Sequence, residues 1–245
     1  METLKTNAFD LVLNEADGSF RLGTDAMLLS AYIKESRSAR ALELGAGSGI
    51  ISLLLAKRGC FSRIDAIEIQ PELYETMKMN VSENGLSEKV FPVLADIRTI
   101  PYEEYKGASV VFANPPYMKV DAGKSSPVAA RQNARHETFG GVYDFCRTAS
   151  KILKTGGRIY LVYRPDRLET LMHSLHDNGF SPKRMTYVHS DTDHGPSSVL
   201  VEAVLNGKES LFVTKPFFFY VNGVQTDDAS YVYEHGKFPE NYQTI

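Results

Sequence analysis

Apolar positions follow two different periods along the chain, and the periods alternate. Short apolar runs, "RALEL" (40–44), "RIDAIEI" (63–69), "KVFPVLA" (89–95) and "ASVVFA" (108–113), read as buried strands. Between them, "SGIISLLLAKRG" (48–59) and "PELYETMKMNVSENG" (71–85) carry helical spacing. Gly59 and Gly85 close these two helices, and Pro71 opens the second. Further on come a helix ending at "KTGG", a strand "RIYLVY" (158–163) and a helix "DRLETLMHSLHDNG" (166–179). Strands "RMTYVHS" (184–190) and "SSVLVEAVL" (197–205) end the series. Strands separated by helices predict an α/β fold with a Rossmann-like, doubly wound parallel sheet of seven strands. The last two strands have no helix between them, so they are expected to pair antiparallel at one edge.

The flanks follow other patterns. "FDLVLNEADGSFRL" (9–22) reads as an N-terminal β-hairpin turning at Asp17-Gly18. Thr24 or Asp25 is placed to cap a helix through "AMLLSAYIK". Near the C-terminus, "PFFFYVNGVQT" contains a turn at Asn222-Gly223, with a polar, aromatic tail behind it. The length of 245 residues suits one large α/β domain: hairpin and helix over 1–35, core over 36–206, and an extension over 207–245.

Composition narrows the class. An apolar fraction of 43% and a charged fraction of 23% are those of a soluble globular protein. No run approaches the length of a membrane span, and the N-terminus lacks the pattern of a secretory signal. Cys60 and Cys146 stand far apart, which suits a reducing cytoplasm. The six histidines offer no ligand pattern, so no metal is expected. The net charge of −3 conceals an asymmetry. Residues 1–118 carry −4 and residues 185–245 carry −5, whereas residues 119–184 carry +6. A local basic surface can grip phosphates without making the whole chain basic.

Candidate chemistry gathers at strand ends. In "ALELGAGSGI", Glu43 lies near the end of the first strand, and Gly45, Gly47 and Gly49 let a ligand approach the backbone before a helix N-terminus. A dinucleotide fingerprint places its third glycine or alanine at position 50, which is Ile50, so the spacing disfavours NAD. Glu68 ends the second strand, where a carboxylate can accept from both hydroxyls of a ribose. Asp96 follows the third and can accept from an adenine amine. Ligands of open α/β sheets bind at these strand ends. Together they imply a nucleoside with an amino-acid-like tail. The fourth strand stops at Asn114-Pro115-Pro116-Tyr117, where two prolines make a rigid corner. An amide oxygen, a proline carbonyl and an aromatic face suit a planar substrate bearing an NH₂ group.

With these motifs the chain resembles the class I S-adenosylmethionine-dependent methyltransferases that act on amines, over about residues 20–206. "FRLGTDAMLLSAYI", "AIEIQPELYETMKMNV", "NPPYMK" and "ARHE" look more narrowly like the bacterial tRNA adenine-N6 methyltransferases of valine tRNA. The resemblance implies a seven-stranded methyltransferase sheet, S-adenosylmethionine as cofactor and RNA, most simply tRNA, as partner. It implies that the Gly45/Gly47 loop, with Glu43, holds the methionine moiety, Glu68 the ribose, and Asp96 with the Ile97 backbone the adenine. Asn114 and Pro115 would accept from the target amine, Asn114 also touching the cofactor, with Tyr117 stacked on the base. Thr24 and Asp25 would close over the cofactor. The long basic segment "YMKVDAGKSSPVAARQNARHE" offers Lys119, Arg131 and Arg135 to RNA phosphates. The same corner occurs in rRNA guanine-N2, DNA adenine and release-factor glutamine methyltransferases. These, and an inactive cofactor-binding RNA module, are the competing readings.

Overall fold

The computed structural model describes residues 2–6, 9–14, 23–116 and 140–243. Strands β1 (Glu2–Thr6) and β2 (Phe9–Leu13) form an antiparallel pair with Leu4 opposite Leu11. The hairpin expected over 9–22 extends beyond the described residues, and β1 is a strand that the apolar pattern did not announce. Phe9–Leu13 pairs with the residues before it, from Glu2 opposite Leu13 to Thr6 opposite Phe9. The Asp17-Gly18 turn lies outside the described residues. Helix α1 (Thr24–Tyr32) starts from an extended Gly23 with no side-chain cap, so neither Thr24 nor Asp25 caps it. It is buried from Ala26 to Tyr32, because it sits between the sheet and the C-terminal extension.

The core then alternates: β3 (Arg40–Leu44), α2 (Ile50–Lys57), β4 (Arg63–Glu68), α3 (Pro71–Glu83), β5 (Val90–Leu94), α4 (Tyr102–Tyr105) and β6 (Ala108–Ala113). After the corner follow α5 (Val142–Ile152), β7 (Leu153–Tyr163), α6 (Leu168–Asp177), β8 (Phe180–His189) and β9 (Ser198–Leu205). "KTGG" belongs to β7 rather than to the end of a helix: Leu153 already pairs with Ala108, and the register shifts before Arg158 meets Val110. Beyond the core lie β10 (Phe212–Val213), β11 (Phe217–Phe218), β12 (Tyr220–Val221), β13 (Val224–Gln225) and α7 (Asp227–His235).

The main sheet runs β10-β8-β9-β7-β6-β3-β4-β5, with β11 also on β8. Its seven expected strands are present, and only β9 runs antiparallel to its neighbours among them. The expected edge differs in one respect. The β8–β9 pair inserts β9 next to β7, and β8's outer side is covered by β10 and β11. An edge strand left open invites pairing with other chains; here the extension closes it. One apolar layer packs α1, α2, α3 and the extension on one face, and a second packs α4, α5 and α6 on the other.

Arg184 ties the extension to the core. It is 1% exposed, lies 3.0 Å from Glu202 and 3.7 Å over the Tyr32 ring, and donates to the Tyr32 and Tyr242 carbonyls at 2.6 and 3.2 Å. Phe217, Phe238 and Tyr242 pack as one aromatic cluster against Tyr32. Asn222 and Gly223 both adopt positive φ between β12 and β13, which is the turn predicted there.

Candidate active site

The chain leaves β3 for β4 and β5 on one side, then returns to β6 on the other side of β3. The strand ends at this reversal form a crevice, the place where open α/β sheets bind ligands. A cavity of about 170 Å³ lies there, walled by Gly45, Gly47, Glu68, Asp96, Ile97, Asn114 and Phe145 among others. A second, of about 90 Å³, is lined by Gly23, Ala26, Glu43, Ser48 and Asn114. The two share Gly45, Gly47, Leu73 and Asn114, so they are the two ends of one groove.

The groove's floor is backbone. Gly47 has φ 58°, and a Cβ built on it meets no atom within 4 Å. The cost of a side chain there is therefore the strain of the left-handed backbone rather than a clash. Gly45 has φ 67°, and its Cβ would press on the Phe145 ring at 3.2 Å. Positive φ favours glycine at both positions, and the Phe145 ring adds a steric reason at Gly45.

Three carboxylates border the groove, each held differently. Glu68 is 3% exposed; its Oε2 accepts from the Gly47 N–H at 2.7 Å and its Oε1 from the Gln70 N–H at 2.8 Å. The carboxylate thus clamps the glycine loop to the end of β4 while facing the larger cavity. Glu43 accepts from the Ser52 N–H at 3.1 Å and from the Ser52 hydroxyl through the same oxygen, at the first turn of α2. Burial pushes the Glu43 carboxyl up to about 8, against the lowering effect of the Ser52 bonds. Asp96 is held in a fork by Arg98, with Oδ2 2.6 Å from Nη2. That guanidinium holds its carboxyl below the usual range. Ile97 is buried, and its carbonyl accepts from the Thr148 hydroxyl at 2.8 Å, fixing the backbone at the end of β5.

At the end of β6, Asn114 lines both cavities, Pro115 is buried and Pro116 lines the larger one. The structure therefore gathers Glu43, Gly45, Gly47, Glu68, Asp96, Ile97 and Asn114 around one groove. It does not bring Thr24 and Asp25 to its wall: Thr24 is exposed and Asp25 half-buried, while their neighbours Gly23 and Ala26 line the smaller end. Tyr117, Lys119, Arg131 and Arg135 lie outside the described residues. The sequence reading overlooked Ile69, Leu73 and Phe145, the groove's apolar walls. Phe145 could have been found as the aromatic residue next to the N-terminal turn of α5; Leu73 carries no local signal. Among the described residues no group of three or more His, Cys, Asp and Glu is placed to hold a metal ion, and no helix is long and apolar enough to cross a membrane.

The groove fits a nucleoside with a charged amino-acid tail, and its Cβ-free floor is where such a ligand needs room. The sheet order with one antiparallel strand, the glycine loop and the strand-end carboxylates match those of class I S-adenosylmethionine-dependent methyltransferases. A family model described as the TRM5/TYW2 methyltransferase domain matches residues 20–120. Within the class the chain resembles a tRNA1(Val) (adenine(37)-N6)-methyltransferase of Parabacteroides distasonis, 28% identical over 184 residues, which span 75% of this chain and 76% of that one. It is equally similar to the same-named enzyme of Porphyromonas gingivalis, 28% identical over 197 residues, 78% of this chain and 76% of that one. The fold matches the crystal structure of a predicted O-methyltransferase of Agrobacterium tumefaciens with a TM-score of 0.71, 22% identity and coverage of 88% and 97%. That likeness is one of fold.

Proposed function

We propose that the enzyme methylates the exocyclic N6 amine of an adenine in RNA, that the RNA is tRNA, and that the base lies next to the anticodon. The observation that carries this reading is the position of Asn114. It stands on the wall common to both ends of the groove, at the tip of β6, and is followed by a proline corner. The names of the relatives and the net charge of +6 over residues 119–184 support RNA as the partner. On this reading the enzyme works in the cytoplasm, with tRNA.

An adenine amine is a weak nucleophile because its lone pair is delocalised into the ring. In the proposed mechanism the Asn114 side-chain oxygen accepts from one N–H and the Pro115 carbonyl from the other. These bonds favour the pyramidal nitrogen that attacks, through position and electrostatics. S-adenosylmethionine supplies a methyl group on a sulfonium, which departs as a neutral thioether. The new N–C bond leaves a positively charged nitrogen that gives its proton to water, so no strong base is needed. Glu68 serves the ribose, Asp96 and Ile97 the adenine, and Glu43 with the Gly45/Gly47 loop the methionine end. Tyr117 stacks on the flipped base and offsets part of its unstacking cost. Lys119, Arg131 and Arg135 hold RNA phosphates.

Asn114→Ala tests this assignment. Single-turnover methylation of tRNA at saturating cofactor should fall by about 10²–10³-fold, the cost of removing one such polar contact. RNA affinity, dominated by phosphate contacts, should be nearly intact. Near-normal methylation by the folded variant would show that the corner is structural.

A further inference from the structure

A third cavity, of about 610 Å³, opens away from the groove, on the α1 side of the sheet. Lys34, just past the end of α1, Arg158 of β7, Lys183 of β8, Glu202 of β9 and Ser210 line it. Glu202 is 1% exposed and sits behind cations: Arg158 Nη1 at 2.7 Å, Arg184 Nε at 3.0 Å and Lys34 Nζ at 3.7 Å. One carboxylate thus faces three cations, and Lys183 adds a fourth. Lys34 and Arg158, 33% and 42% exposed, meet solvent, whereas the carboxylate and Arg184 are buried.

Hydrogen-bond donors are directed here as well. Arg158 uses Nη1 on Glu202, and a guanidinium has four more N–H groups. Lys183 donates to the Lys208 carbonyl and to the Ser210 oxygen at 3.0 Å, which leaves the Ser210 hydroxyl proton for another acceptor. Like charges held in a concavity repel, and an anion with several oxygens relieves the repulsion while accepting from these donors. Burial lowers the Lys34 pKa; Glu202 opposes that shift, and Arg184 and Arg158 add to it.

Location decides which anion. Arg158 pairs with Val110 and Glu202 with Tyr160, opposite Phe112, so these residues lie about 7–13 Å back along the strands from Asn114, on strands one and two places across the sheet from β6. A single nucleotide in the groove cannot reach the cavity; a polynucleotide can. We propose that this cavity binds the phosphodiester backbone of the RNA substrate, as a second contact remote from the methylated base. The inference rests on the RNA reading above.

The test uses the full chain with Lys34→Gln and Lys183→Gln together, which leaves the Arg158 and Arg184 pairs with Glu202 in place. Full-length tRNA affinity should fall about tenfold at low salt, and the slope of log affinity against log salt should flatten by about 1 to 2. S-adenosylmethionine affinity should be unchanged, and Lys34→Arg with Lys183→Arg should retain wild-type tRNA binding. Unaltered tRNA affinity and slope in the Gln variant, with wild type methylating tRNA, would overturn this site alone. Wild type that neither binds nor methylates RNA would overturn the RNA reading and this site together. Stoichiometric binding of free AMP or ATP, lost in the Gln variant while tRNA binding persists, would reassign the cavity to a free nucleotide and overturn the proposal.

Discussion

Glu68 holds the glycine loop through the Gly47 N–H and faces the cavity beside it, so one carboxylate shapes the groove and offers itself to a ligand. Glu68→Ala should weaken S-adenosylmethionine by about 1.5–3 kcal/mol, the range for hydrogen bonds to a charged group. Calorimetry showing wild-type affinity in the folded variant would refute its role. Glu43 makes a different prediction. Its carboxyl ionises near 4.5 in the unfolded chain and near 8 in the fold, so the folded state binds the proton more tightly. Its contribution to stability is complete below 4.5 and is lost as pH rises through about 8. Glu43→Gln, neutral throughout, should therefore gain stability relative to wild type across that window in the ligand-free enzyme. Paired thermal melts that move in parallel with pH would contradict the burial argument. At this scale the sequence was readable where chemistry is local: glycines, carboxylates and an amide at strand ends need only their positions in a β–α alternation. Phe145 and Leu73 were not readable, because an apolar residue that walls a groove looks like one that fills a core until the helices are placed.

Between elements, one asparagine in α3 and one at its C-cap make contacts that no periodicity announces. Asn80, fully buried, accepts from the Asn14 N–H at 2.7 Å and donates to the Ser48 carbonyl at 3.0 Å. Asn84, one turn on, accepts from the Val12 N–H at 2.9 Å and donates to the Val12 carbonyl at 2.7 Å. The helix thereby joins the end of β2 to the glycine loop. Asn80→Ala strands a buried donor and a buried acceptor and should cost about 2–4 kcal/mol of stability, since each orphaned group costs about 1–3 kcal/mol. Urea unfolding would show it; a change below about 0.5 kcal/mol, the range of a neutral surface substitution, would mean that water replaces the amide. The strand β1 was not legible, because five residues with mixed polar and charged positions carry too weak a pattern to be read without the strand they pair with. The core strands were legible because strands buried on both faces read as continuous apolar runs.

For the molecule as a whole, strand order follows from alternation and handedness, whereas the C-terminal extension follows from neither. Its short strands of two residues each and its aromatic cluster act only together, through β8, Tyr32 and Arg184. No segment of it carries a signal strong enough to be read alone. A product analysis tests the proposed activity most directly. The purified enzyme is incubated with methyl-labelled S-adenosylmethionine and, separately, with tRNA, rRNA, DNA and release-factor protein, and the labelled product is digested and identified. The account predicts label in tRNA alone, recovered as N6-methyladenosine from the position next to the anticodon. Label recovered instead as N2-methylguanosine, as methylated DNA adenine or as methylglutamine would contradict it.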